Sequence, residues 1–455
     1  MKHPVSHAIF YCLWKLCARQ KTRNKVASTI YSKLTKKLYK PRRWPKTASI
    51  VAKDYINHTK RVQEQLINKI KAQKKPIRIC FAVVYDSVFQ GEPLFMQLLN
   101  DKNFSPFILV IPDTARGREN EKFQLQKTLK SLRKKYGDKV QSSYSDQDKR
   151  YKDYSEEIDI ICTANPYDQM THPLYSITYL SQKCLPIYFN YAYPNDHYSY
   201  THIASTLPLS LMWKYFTESD KVTQTFKEHM LNNGANLVTV GYIKMDRLAE
   251  QKKRPSKRKS IIIAPHHSVG QQFKNVYNIS TFMQHADLYQ KLPELYPEID
   301  FIFRPHPLLF PTLAKNDIWG KEKTEAYFRE IQSHNNMTWQ NGGDYFETFT
   351  NADGMIHDCG SFVSEFVYTG KPMCFLLSHE KNIDYFFMEN GAEILRNSYL
   401  AYTSDDIRKY IEQVIICGND EKSAQMAKIR LTTMVNYPNA TSIALQHIKQ
   451  SLGIQ

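Results

Sequence analysis

The chain has 455 residues, 42% apolar and 13% aromatic, with a formal net charge of +18. That length exceeds one ordinary core and fits two α/β domains plus an extension. No window approaches the roughly 18 apolar residues of a membrane span. The eight cysteines contain no C-x-x-C pair, so free thiols in a reducing compartment are expected rather than a disulfide or zinc framework.

The charge belongs to one segment. Residues 1–75 hold 20 Lys or Arg against two acids, Asp54 and Glu64, and the remaining 380 residues are neutral. Within it Ile9, Phe10, Leu13, Trp14 and Leu16 are paired with Lys15, Arg19, Lys21, Arg23 and Lys25, and Leu34, Leu38 and Trp44 lie among further bases. Apolar and aromatic residues beside Lys and Arg suit an interfacial helix on an anionic leaflet, which places residues 1 to about 50 on the membrane surface. Nucleic acid is the competing partner and is not expected; a solvated extension is the bland alternative. The apolar run Ala8–Trp14 is short for a signal peptide, so the expected location is cytoplasmic, peripheral on the inner face of the membrane.

From Pro76 strands alternate with helices. Strands are predicted at Ile77–Tyr85, Phe107–Pro112, Ile158–Thr163, Leu185–Tyr191 and Asn236–Val240, with helices at Pro93–Asn100 and from about Glu119 to Tyr136. A basic connector, Gln251–Lys259, leads to a second series at Ser260–Ala264, Ile299–Phe303, Gly354–Ile356 and Met373–Leu377, and to a helix Ser404–Ile416 capped by Ser404. Continuous apolar runs separated by helices indicate parallel sheets covered on both faces. The expected architecture is α/β, two Rossmann-like domains in a GT-B-like arrangement behind a basic helical extension. Its domains are 1–75 (extension), 76–240 (first Rossmann-like domain) and 241–455 (second Rossmann-like domain).

Candidate functional residues fall at predicted strand ends, where such sheets bind ligands. Asp358-Cys-Gly360-Ser361 follows one strand; Gly360 permits close approach of a phosphate, and Ser361 caps the next helix or contacts phosphate. Glu365, one turn on, is placed to accept from ribose hydroxyls. Arg304-Pro-His306-Pro ends another strand, with Arg304 suited to bidentate phosphate contact and His306 to charge neutralisation or proton transfer. His266 and His267 follow a third strand and are expected to line the same cleft, with His266 among the donor-phosphate contacts. These histidines with His357, Asp358 and Cys359 match no compact metal spacing, so no metal is expected. In the first domain, the loop from Tyr191 to Tyr198 offers Asp196 and His197 as general bases.

These segments resemble the CDP-glycerol glycerophosphotransferase family, which includes teichoic acid primases and polymerases. Gly241-Tyr-Ile-Lys-Met-Asp246-Arg-Leu248 is similar to its G-x-P-R-x-D-x-L segment, and Ile261–Pro265 to its strand ending in Ala-Pro. Phe303–Pro307 resembles its Arg-x-His element, and Ala352 to Pro372 its A-D-x-x-I-x-D-x-S-S…K-P block. The match covers 241–455. It implies a GT-B fold and cofactor-free, metal-independent transfer. A polyol phosphate would pass from a CDP-linked donor to a membrane-linked or polysaccharide acceptor, at a peripheral membrane position. By the same resemblance His306 contacts the donor pyrophosphate, and Asp358, Ser361 and Glu365 hold its phosphate or ribose. The family's first-domain His-Gly pair is replaced here by Asn190-Tyr191-Ala192, and one serine of D-x-S-S by Gly360. A GT-B glycosyltransferase for a surface polysaccharide, a sugar-nucleotide epimerase and a non-catalytic membrane scaffold are the alternatives.

Overall fold

The computed structural model describes residues 46–270 and 277–454; the membrane-anchoring segment expected over 1 to about 50 lies almost wholly outside them. No described helix is long and apolar enough to cross a membrane. Two compact units are present.

The first unit is built on seven parallel strands: β1 Ile77–Val83, β2 Phe104–Val110, β3 Val140–Ser142, β6 Ile160–Cys162, β7 Leu185–Phe189, β8 Lys214–Thr217 and β9 Leu237–Thr239, in the order β3-β2-β1-β6-β7-β8-β9. A short hairpin, β4 Tyr144–Ser145 and β5 Arg150–Tyr151, stands apart. Alternate residues of β1 feed two cores: Ile77, Ile79, Phe81 and Val83 one face, Cys80 and Ala82 the other. Burial on both faces explains why the strand reads as a continuous apolar run.

Helix Lys46–Ala72 belongs to this unit rather than to a detached extension. Its residues Val51, Tyr55, Thr59, Gln63 and Ile70 form one buried stripe. The Tyr55 hydroxyl donates to the Thr178 carbonyl (3.0 Å) and the Gln63 amide to that of Leu211 (2.8 Å). Its outer face carries Lys53, Lys60, Arg61, Lys69 and Lys71. The last helix, Ala440–Leu452, also joins this unit, although the sequence reading extends the second domain to 455. Ala440, Ala444, Ile448 and Leu452, spaced by four, enter the first core, and Lys449 pairs with Asp101 at 2.7 Å.

The second unit comprises Ala192–Tyr198 and Met245–Pro438. Its six parallel strands are β10 Lys259–Ala264, β11 Ile299–Phe303, β12 Met337–Trp339, β13 Gly354–His357, β14 Met373–Leu376 and β15 Tyr399–Ala401, ordered β12-β11-β10-β13-β14-β15. This order sets β11, β10 and β13 side by side. Their carboxyl ends therefore bring Arg304 and His306, His266 and His267, and Asp358 to one edge. The helix after β15 starts one residue earlier than expected: Thr403, not Ser404, is its N-cap, in a capping box with Asp406.

Candidate functional site

Three imidazoles meet at that edge. The rings of His267 and His306 stack with centroids 4.2 Å apart, and His266 lies edge-on to both, at 4.4 and 5.1 Å. Burial is the main cause holding all three below the usual histidine range, His306 at about 3, His267 at about 4 and His266 well down; neighbouring rings and, for His267, Lys315 add to it. The rings are neutral near pH 7.

Hydrogen bonds fix which nitrogen carries each proton. Nδ1 of His306 accepts the Leu308 N–H at 3.1 Å. Nδ1 of His266 accepts the Ser268 N–H at 3.3 Å and lies 2.9 Å from the Ser268 hydroxyl, whose oxygen already accepts from Ile279 and Ser280. With Nδ1 serving as acceptor, the proton sits on Nε2 of both rings. They are therefore hydrogen-bond donors, suited to an anion. One nitrogen from each ring lies within 4.8 Å of the others, which admits a zinc reading in outline. A tetrahedral zinc needs unprotonated nitrogens about 3.4 Å apart, so the stacked rings and occupied Nδ1 atoms fit a cation poorly.

Arg304 supplies the fixed charge. Only 6% exposed, its guanidinium donates to Gln340 Oε1 (2.9 Å) and the Gly343 carbonyl (2.5 Å) and lies 5.6 Å from the Tyr345 ring centroid. No described carboxylate forms an ion pair with it; the nearby Asp344 bonds to Arg247. A buried cation with neutral partners calls for an anionic ligand.

Other expected site residues have different tasks. Asp358 is fully buried and accepts the His266 and Thr281 N–H groups at 2.5 Å each and the Thr281 hydroxyl at 3.0 Å. Its carboxylate thereby ties the backbone of His266 to that of Thr281. The room left by Gly360 is taken by the Tyr277 hydroxyl, which stands where a Cβ would be. Ser361 makes no side-chain cap bond, and its helix, Phe362–Glu365, is a single turn. Glu365 is buried and accepts from the Tyr345 hydroxyl at 2.5 Å. Lys371 of the Gly-Lys-Pro exit donates to the Phe349 and Thr350 carbonyls, closing the end of helix Phe346–Asn351.

The loop expected to serve the first domain docks on the second unit. Asp196 accepts from Tyr277 at 3.0 Å, and the Tyr277 ring lies edge-on to His266 at 5.6 Å. His197 is exposed and lies 3.1 Å from the Asp384 carbonyl. Sequence reasoning missed Tyr277 entirely and gave His267 only a place in the lining of the cleft. The signal for His267 was its adjacency to His266; Tyr277 had none.

The neutral histidines imply a pH dependence of stability. Their folded values lie below the unfolded value of about 6.5. Their contribution is thus present above about pH 6.5 and lost as pH falls through about 4 and 3. Asp358, raised to about 6 mainly by burial, acts in the opposite sense between about pH 4 and 6, but is one group against three. Urea midpoints should fall between pH 7 and 4. A His267→Asn/His306→Asn variant should show a shallower fall; an unchanged slope would count against the neutral cluster.

No protein-family model and no curated protein matches the chain by sequence. Solved structures match it in fold. The wall teichoic acid polymerase TagF aligns over 96% of this chain and 99% of its own, at 12% identity and a TM-score of 0.53. A TagF variant soaked with CDPG aligns over 90% and 99%, at 12% identity and 0.52. The S. aureus MnaA–UDP structure aligns over 83% and 98%, at 13% identity and 0.51. At these identities the likeness shows the fold: this chain is similar to GT-B proteins built from two Rossmann-like α/β domains.

Proposed function

We propose that the protein is a transferase that binds a nucleotide-diphosphate donor at the carboxyl edge of the second sheet. The group moved is a polyol phosphate, glycerol phosphate in the first instance, from a CDP-linked donor to a membrane-linked or polysaccharide hydroxyl. The observation that carries this is Arg304, a buried cation without a carboxylate ion pair, at the same sheet edge as two imidazoles whose protons sit on Nε2. Such donors stabilise charge as it builds on a diphosphate, and that stabilisation commonly accounts for most of the rate enhancement in this chemistry.

In the proposed step the acceptor oxygen attacks the β-phosphorus, the bond to the α-phosphate oxygen breaks, and CMP departs. Arg304 offsets the charge on the leaving phosphate, and the Nε2–H groups of His266 and His306 donate hydrogen bonds to it. Asp196 takes the acceptor proton; its partly exposed carboxylate adjoins the histidine cluster through Tyr277, whereas His197 is tied to Asp384. Asp358 and Glu365 serve as positioning groups. The order of these roles follows the resemblance to the glycerophosphotransferases and the likeness to TagF. A sugar-nucleotide reading is favoured by one observation, the likeness to MnaA bound to UDP.

Calorimetry with CDP, UDP, GDP and CMP, followed by release assays on CDP-glycerol and UDP-sugars with membranes, tests both readings. CDP binding with CMP release is expected, and His306→Ala should slow release by about two orders of magnitude or more with the fold intact. UDP release from a sugar nucleotide alone would move the assignment to a glycosyltransferase. No affinity for any nucleotide would leave the scaffold reading.

A further inference from the structure

The backbone on both sides of Asp196 is clamped to the second unit. Asn195, wholly buried, donates to the Gly360 carbonyl (3.0 Å) and accepts from the Ser364 hydroxyl (2.6 Å), while its own carbonyl accepts the Met388 N–H (2.9 Å). The Pro194 carbonyl accepts from Asn390 (2.7 Å), and Asp196 forms an isolated bridge with Phe387. A Cβ on Gly391 would lie 2.9 Å from the Asn195 carbonyl oxygen, so this approach requires glycine there. Leaving buried hydrogen bonds of this kind unmade costs about 1–3 kcal/mol each, so the segment is rigid.

What the clamp presents is Asp196, a partly exposed residue, with the Tyr277 hydroxyl donating to its carboxylate at 3.0 Å. Tyr277 is fixed in turn by His266 against its ring and by Phe386 at 6.3 Å. A carboxylate and a phenolic oxygen side by side accept hydrogen bonds and repel bare phosphate. The neighbouring cluster has the opposite character, with Nε2–H donors on His266 and His306. A ligand spanning both carries an anionic group at one end and hydroxyls at the other.

We propose that Asp196 and Tyr277 form a hydroxyl-recognising subsite next to the histidine cluster, taking hydroxyls of a polyol or sugar. This rests on the donor reading above and adds the chemical class that the rest of the ligand must have. The hydroxyls belong either to the transferred group or to the acceptor, and the experiment separates the two.

Titration calorimetry on the full chain compares CDP and UDP with CDP-glycerol and UDP-GlcNAc, for wild type, Asp196→Asn and Tyr277→Phe. Both substitutions preserve shape, and thermal melts confirm the fold. Nucleoside diphosphates should bind all three proteins within about twofold, while the variants lose about tenfold or more of the affinity for a hydroxyl-bearing conjugate. If the hydroxyls are the acceptor's, conjugate affinity stays constant and the KM of Tyr277→Phe for a polyol acceptor rises by about tenfold, Asp196→Asn being read by binding alone because Asp196 is also the proposed base; that also supports the subsite. Equal losses for nucleotide and conjugate, or no change in either measurement, overturn the subsite alone. Failure of wild type to bind any nucleoside diphosphate overturns the donor reading beneath it.

Discussion

Asp358→Ala is expected to lower the unfolding free energy by about 3–5 kcal/mol, the largest stability loss at the site. Alanine leaves two buried N–H groups, those of His266 and Thr281, without an acceptor, at roughly 1–3 kcal/mol each. The loss should depend on pH. Burial lifts the Asp358 carboxyl from 3.8 to about 6 against the pull of its backbone hydrogen bonds. A carboxyl raised in the folded state contributes most when protonated, and that contribution disappears as pH rises from about 4 through about 6. The wild-type advantage over Asp358→Ala should therefore be about 1 kcal/mol larger at pH 5 than at pH 8. Urea denaturation at the two pH values measures it. A loss below about 1 kcal/mol, the same at both, would mean that the chain repairs these bonds with water.

Asp358 also shows how far the sequence could be read. Its position after a strand was legible, because Gly354–His357 is an apolar run ending in polar residues. That Arg304, His266 and Asp358 share an edge was not, since strand order in a parallel sheet is not written locally; only the β11-β10-β13 adjacency brings them together. Short strands such as β3, β12 and β15 escaped notice because each has only three residues, partly exposed, too few to set a pattern. The segment 192–198 was assigned by chain order to the first domain. Its real partners, Gly360, Ser364, Met388 and Asn390, lie 165 to 195 residues further along. Gly360 carried the opposite lesson: a glycine after a strand suggested room for phosphate, and the room holds a tyrosine hydroxyl.

Arg304→Met should separate function from stability. The substitution removes a buried cation that has neutral partners only, and of those the Gly343 carbonyl sits in an exposed turn where water can replace the guanidinium. Gln340 keeps a donor in the Thr348 hydroxyl at 3.0 Å. The lost cation–π contact with Tyr345 and the relieved desolvation of the charge oppose each other at about 1 kcal/mol apiece, so stability should change by no more than about 1 kcal/mol. Nucleotide affinity should behave otherwise. Removing one partner of a buried charge-assisted contact costs about 2–5 kcal/mol, a fall of roughly thirtyfold to several thousandfold. Calorimetry with pyrophosphate and CDP beside urea melts reads both quantities on one preparation. Stability lost with affinity unchanged would make Arg304 a structural residue of the Gln340–Tyr345 loop. Affinity lost with stability kept is what a protein shows when it carries an uncompensated charge for its ligand.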